Sequence, residues 1–248
     1  MRVYDPILYP SGGSWGGCED PRIVRIDGKI SITFNAFDGW DFIRIAAISI
    51  NEKDFFEKKW KWNKPILISP PNQINKNWVL FPEKINNKFA ILHSISPKVQ
   101  VDFIGDLKDL EDNKNYIKSQ FKQDPTKKGW DTWVRGVGPP PIKTKKGWLV
   151  LYHAMDHRDP NKYKLGALLL DLKDPAIVLA RTTDPIFEPK EPYEKVGVVN
   201  NVVFPCGLAL KDGLLYIYYG GADTVVGVAT MELDIILKAL TRNIKKGK

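Results

Sequence analysis

Four short stretches of this chain are built round a proline, three of them with ionisable side chains beside it, and any chemistry is best sought there. They are Glu19-Asp20-Pro21-Arg22, Phe81-Pro82-Glu83-Lys84, Gly138-Pro139-Pro140-Pro141 and Phe204-Pro205-Cys206-Gly207. An aspartate such as Asp20 can give or take a proton during a reaction, and it can equally be a turn or capping residue ahead of its proline. Lys84, and Arg135 just before the third stretch, can grip an anion through charge-assisted hydrogen bonds, or can be ordinary surface cations. The three histidines, His93, His153 and His157, are not spaced with carboxylates or cysteines as metal ligands would be, so no metal is expected. Neither a GxxxxGK[ST] phosphate loop nor a GxGxxG fingerprint occurs, which leaves nucleotide-driven chemistry without support.

The elements that must carry these residues repeat. Segments beginning at Cys18, Leu80, Gly138 and Val203 each run from a proline through a short apolar strand, a polar turn and a second, aromatic-rich strand. The turns are read as Asp27-Gly28, Asn86-Asn87, Lys146-Gly147 and Asp212-Gly213, residue types that tolerate the positive φ of a two-residue hairpin. A third strand follows in three repeats: RIAAISI from Arg44, KLGALLLDL from Lys164 and VGVATMELD from Val226. A fourth element, KPILIS from Lys64 and DPIFEP from Asp184, has a further copy, DPILYP, at Asp5 ahead of the first repeat. Antiparallel four-stranded units in series predict an all-β chain, a β-propeller occupying residues 1–248 as one domain, with a β-sandwich as the alternative. Helix is expected only in the tail from Leu233, while the Asp- and Lys-rich stretch from Asp106 reads as an excursion with a short turn.

Composition narrows the partners. The net charge of +8 comes from scattered lysines, the densest run being the terminal IKKGK, so a solvated lysine-rich surface is expected rather than a nucleic-acid partner. A basic pocket for an anionic substrate is the second reading. There is no apolar run near membrane-spanning length, and two cysteines, Cys18 and Cys206, make no disulfide framework. MRVYDPILYP lacks the pattern of a secretory signal, and a cytoplasmic location is expected.

Written out in order, the motifs resemble the β-mannoside phosphorylases, glycoside hydrolase family 130. They are Glu19-Asp20-Pro21-Arg22 with Asp27-Gly28, Phe81 through Asn86, Gly138 through Thr144, Tyr152-His153, Glu194 through Gly197, Phe204 through Gly207, and Tyr218-Tyr219-Gly220 through Asp223-Thr224. The resemblance runs from about Tyr4 to Leu237. It implies a five-bladed propeller, of which this chain shows four repeats and the last strand of a further blade. It also implies inverting phosphorolysis of short β-mannosides such as β-1,4-mannobiose or a mannosyl-glucose, releasing α-mannose 1-phosphate. A hydrolase of the same family and a non-catalytic carbohydrate-binding propeller are the alternatives.

The roles follow from the resemblance. Asp20 matches the family's acid, which relays its proton through a hydroxyl of the mannosyl unit. Lys84, Arg135 and His153 are the expected phosphate holders, with inorganic phosphate as co-substrate and no cofactor. The expected sugar contacts are Glu19, Arg22, His93, Tyr163, Phe204 and Asp223, with Trp15 and Trp40 as rim candidates. Homo-oligomerisation is a further expectation. The chain departs from the family at Val134, where relatives carry the cation one residue before Arg135, and at Ser94, where an arginine is common.

Overall fold

Alternation of apolar and polar residues, interrupted by residues that accept positive φ, produces strands joined by tight hairpins. The structure, a computed structural model, describes residues 16–38, 42–110, 115–120, 122–124 and 126–242. Trp15, Trp40 and the DPILYP element lie outside the described residues. The strands are β1 (Gly16–Ile26), β2 (Lys29–Asp38), β3 (Phe42–Asn51), β4 (Ile66–Leu67), β5 (Val79–Leu80), β6 (Phe89–Ser94), β7 (Gln100–Ile104) and β8 (Trp133–Val137). They continue with β9 (Ile142–Thr144), β10 (Gly147–Asp156), β11 (Asp159–Leu170), β12 (Val178–Arg181), β13 (Val203–Lys211), β14 (Leu214–Gly221) and β15 (Val225–Glu232). Short helices α1 (Glu52–Phe56) and α2 (Pro192–Lys195) were not foreseen, whereas α3 (Leu233–Thr241) is the expected tail helix. A single 3-10 turn, Leu107–Leu110, is the helical structure described in the Asp106 excursion.

The strands form four sheets in chain order: β1-β2-β3-β4, β5-β6-β7, β12-β11-β10-β8 with β9 also on β10, and β13-β14-β15. Three of the four turns fall where the sequence places them. Asp27 and Gly28, Asn86 and Asn87, and Asp212 and Gly213 all have positive φ, as a two-residue hairpin that matches strand twist requires. The third turn is shifted by one residue. Gly147 pairs with Thr144, so the loop is Lys145-Lys146, and the Thr144 hydroxyl binds it by donating to the Gly147 carbonyl at 2.7 Å. The fourth element packs on the third strand in two sheets. Leu67 and Ile66 pair with Ala46 and Ala47 of β3, and Phe187 bridges Leu165 of β11.

Contacts gather into two compact units, Met1–His93 with Asp102–Gln120, and Ser94–Val101 with Phe121–Lys248. The core of the first brings Val24, Ile26, Ile45 and Ala47 of the β1–β3 sheet against Trp78, Leu80, Phe89 and Ile91. That of the second brings Leu149, Leu151, Leu165 and Ala167 against Leu215 and Ile217, with α3 contributing Ile236, Leu237 and Leu240. Each of the larger aliphatic or aromatic side chains withdrawn from water contributes about 1.5–3 kcal/mol before entropy is counted. Both clusters are built of apolar side chains.

The first strand of three sheets carries an extra residue. On β1 the pairing passes from Glu19↔Asn35 to Arg22↔Thr33, leaving Asp20 and Pro21 opposite one residue. On β8, His153↔Gly136 is followed by Ala154↔Val134, which leaves Arg135 over. On β13, Pro205↔Tyr219 is followed by Gly207↔Tyr218, which leaves Cys206 over. Proline cannot donate to a ladder, and a bulge is where a strand accommodates it. Bulges also re-aim side chains, so two of the candidate residues owe their direction to this irregularity.

Candidate active site

In the first unit Asp20 sits at its bulge with φ 52°, a left-handed conformation that aspartate tolerates better than most residues. Its Oδ2 accepts a hydrogen bond from Asn35 Nδ2 at 2.9 Å. Glu19 is exposed, its Oε2 3.9 Å from Lys76 Nζ. Arg22 is 2% exposed despite its charge, with Nη1 3.4 Å from the Pro21 carbonyl. Opposite Arg22 in register stands Thr33, whose hydroxyl donates to the Trp78 carbonyl at 2.8 Å. The Trp78 ring lies 5.4 Å from His93, whose Nε2 is 3.6 Å from Asp102 Oδ2. Burial holds the His93 imidazole below its usual pKa, against the opposing pull of Asp102. Glu19, Asp20, Arg22 and His93 therefore belong to one chain of contacts.

Lys84 is placed differently from the expectation. Its Nζ bonds Asp27 Oδ2 at 2.8 Å and lies 4.7 Å from the Phe89 ring centroid. Asp27 is in the turn at the far end of β1, seven residues from Asp20, or about 20 Å along a strand. The motif prolines misled here because Pro82 stands closer to its hairpin, Ile85↔Lys88, than Pro21 does to Ile26↔Lys29. Lys84 is a hairpin brace in this structure, not a neighbour of Asp20.

In the second unit the remaining candidates share one end of the sheets. Arg135 reaches over the Trp133 ring at 4.9 Å and the Tyr163 ring at 5.7 Å. His157 stacks on Trp133, and His153 stacks on Tyr163 at 6.0 Å. Phe204 meets His153 edge-on at 4.5 Å. A guanidinium flanked by two rings has its plane fixed, so its N–H edge is aimed rather than free to swing. Tyr163 also bridges Val202, whose carbonyl accepts from Ala222 N–H at 3.0 Å. That contact leads to Asp223, exposed in the β14–β15 turn with φ 51°. Arg135, His153, Tyr163 and Phe204 are thus brought together, and Asp223 follows Ala222, whose N–H bonds Val202. His153 is 1% exposed and packed between rings, a position better suited to supporting a ligand contact than to wide reach.

Three polar residues with no expected role hold these patches. Asn35 bonds Asp20. Asp131, just before β8, takes Lys127 Nζ at 2.6 Å, the Tyr152 hydroxyl at 2.6 Å and Arg181 Nη1 at 3.0 Å on one oxygen. Burial works to raise its carboxyl, but those three donors outweigh it and hold the group below the usual range. Glu194 is buried in α2 and accepts from the Lys190 and Glu191 N–H groups and from the Tyr219 hydroxyl. Both carboxylates have near partners, but the hydroxyls that complete their bonding, Tyr152 for Asp131 and Tyr219 for Glu194, lie far along the chain, where a single sequence does not reveal them. No group of His, Cys, Asp and Glu side chains suited to a metal ion occurs among the described residues.

Known proteins resemble this chain in sequence and in fold. The family model described as beta-1,4-mannooligosaccharide phosphorylase matches residues 6–242. A 1,2-beta-oligomannan phosphorylase of Thermoanaerobacter sp. (strain X514) is 46% identical over 240 residues, which is 95% of this chain and 75% of that protein. A beta-1,2-mannobiose phosphorylase of the same organism is 38% identical over 221 residues, 89% of this chain and 68% of that protein. Among solved structures, the beta-1,2-mannobiose phosphorylase of Listeria innocua in complex with beta-1,2-mannobiose is similar with a TM-score of 0.72 at 34% identity. That similarity covers 90% of this chain and 60% of the Listeria chain. The chain therefore spans between about three fifths and three quarters of the length of these relatives.

Proposed function

The chain belongs to glycoside hydrolase family 130, and on that premise we propose that it phosphorolyses short β-mannosides with inversion, releasing α-mannose 1-phosphate. The single observation that carries this reading is Asp20, lifted out of its ladder by a bulge and held through one oxygen by Asn35. A phosphate oxygen attacks the anomeric carbon from the face opposite the leaving sugar. The bond from that carbon to the bridging oxygen breaks, and the proton of Asp20 passes to that oxygen. No second carboxylate is needed to activate water, because phosphate arrives as an anion. Arg135, its plane set by Trp133 and Tyr163, binds phosphate, together with His153, which stacks on the same Tyr163 ring. Phe204, Tyr163 and Asp223 serve the sugar. Lys84, engaged by Asp27, is left out of the phosphate set.

The linkage proposed for the substrate is β-1,2, in place of the β-1,4 linkage expected from the motifs. Two relatives at 46% and 38% identity carry names with β-1,2 specificity, and so does the Listeria protein. The four antiparallel sheets in series support a propeller as the architecture that presents these residues. The decisive assay incubates the protein with β-1,2- or β-1,4-mannobiose, with and without inorganic phosphate. Mannose 1-phosphate formed faster from β-1,2-mannobiose is the expected result. Free mannose released at the same rate without phosphate would make the protein a hydrolase, and binding without turnover would make it a carbohydrate-binding protein.

A further inference from the structure

The bond that carries the proposed acid also makes its two oxygens unequal. Asn35 is 1% exposed and lies on β2, where it pairs with Glu19 on one side and Ile45 on the other. It is therefore fixed by strands on both flanks, unlike Asp20, whose own backbone leaves the ladder. A buried amide N–H needs a lone pair to accept it, and Asp20 Oδ2, 2.9 Å away, supplies that lone pair. In the protonated carboxyl the carbonyl oxygen is the better acceptor and the hydroxyl oxygen the poorer one. An N–H directed at Oδ2 keeps Oδ2 as the carbonyl, so the transferable proton resides on Oδ1. We propose that Asn35 is a positioning residue of the phosphorolysis, selecting the oxygen of Asp20 that bears the proton and holding the carboxyl plane.

This inference rests on the phosphorolysis reading and adds a residue that the motifs do not mark. Its test is steady-state kinetics on β-1,2-mannobiose with phosphate, together with Tm, for Asn35→Leu, Asn35→Ala and Asp20→Asn. Leucine keeps the branched skeleton of asparagine with bulkier ends and removes the donor, so it leaves none of the gap that alanine would. The expected result is a kcat lowered by about 10- to 100-fold in both Asn35 variants, with KM within about threefold of the parent, because misplacement of a reacting group costs rate rather than affinity. A kcat within about threefold of the parent in a folded Asn35→Leu overturns the inference. So does a KM that rises in step with a falling Tm, the mark of a merely structural role. If Asp20→Asn is inactive while Asn35→Leu is unimpaired, only the inference falls. If Asp20→Asn turns over like the parent, or the parent phosphorolyses no β-mannoside, the functional reading itself falls.

Discussion

Individual side chains divide cleanly into those aimed by the backbone and those tied down by a partner. Asp20→Asn should lower phosphorolysis by about 10²-fold or more while leaving Tm near the parent value, since the amide keeps the shape and loses the proton. Arg135 and Lys84 make a paired comparison. Arg135→Ala should raise KM for phosphate by about 10- to 100-fold, the scale of a lost charged hydrogen bond, whereas Lys84→Ala should leave it unchanged because Lys84 is spent on Asp27. Phosphate titrations of the two variants side by side check this. His93 bears on pH. Its pKa is lowered in the folded protein from an ordinary value of 6.5, chiefly by burial, so the unfolded chain binds the proton more readily. Stability is therefore lost as pH falls through about 6.5, and the Tm difference between about pH 7.5 and pH 5.5 should shrink in His93→Gln. Asp20 and Arg135 are candidates that their motifs single out. Asn35 is not among them, because an asparagine inside an apolar strand gives no hint of what it faces across the sheet.

At the scale of elements, the stretch leading into β8 depends on one buried carboxylate. Asp131→Ala should cost about 3 kcal/mol, at the low end for a broken buried pair because Lys127 and Arg181 can turn toward water. Chemical denaturation measures it. Gly166 shows the same region packed to contact. A Cβ there would stand 2.6 Å from both Trp130 Cζ2 and Tyr152 Cζ, so Gly166→Ala should destabilise by about 1–3 kcal/mol, read as a lower midpoint at unchanged slope. Hairpins were the most legible elements, because Asp-Gly and Asn-Asn turns have a local cause. Lys145-Lys146 was missed by one residue because Gly147, with φ 148°, looks like a turn residue and is instead the first residue of β10. β12 and β7 left no recognisable pattern, β12 being short and half exposed with only its register on β11 to define it. The bulges were invisible for a related reason: an extra residue in a strand has no composition of its own, only a partner count.

Across the whole molecule, the series of four sheets was readable from self-similarity, and the two compact units were not, since contact density is not written in any one segment. The last sheet is the least covered. Along β15, Val226 is 84% exposed and Val228 54%, on a strand with no neighbour on its far side among the described residues. Val226→Lys should therefore change stability by no more than about 0.5 kcal/mol while blunting the strand as a template for association, which light scattering at rising concentration would show. The three bulges bear on how such a chain can change over time. A strand alternates its faces with a parity of two, and each bulge is one added residue, which leaves the partners on either side of it consecutive for β8 and β13 and separated by one residue for β1. Removing Cys206 would restore an unbroken ladder, and the Asp212-Gly213 turn would hold the residues after it in place. The residues before it would keep their partners, Pro205 on Tyr219 and Phe204 on Gly220, so Phe204 would stay on its face while the local bend of the bulge is lost. A one-residue deletion at a bulge is therefore absorbed by the ladder, whereas the same deletion in an unbulged stretch moves the residues on one side of it to the opposite face.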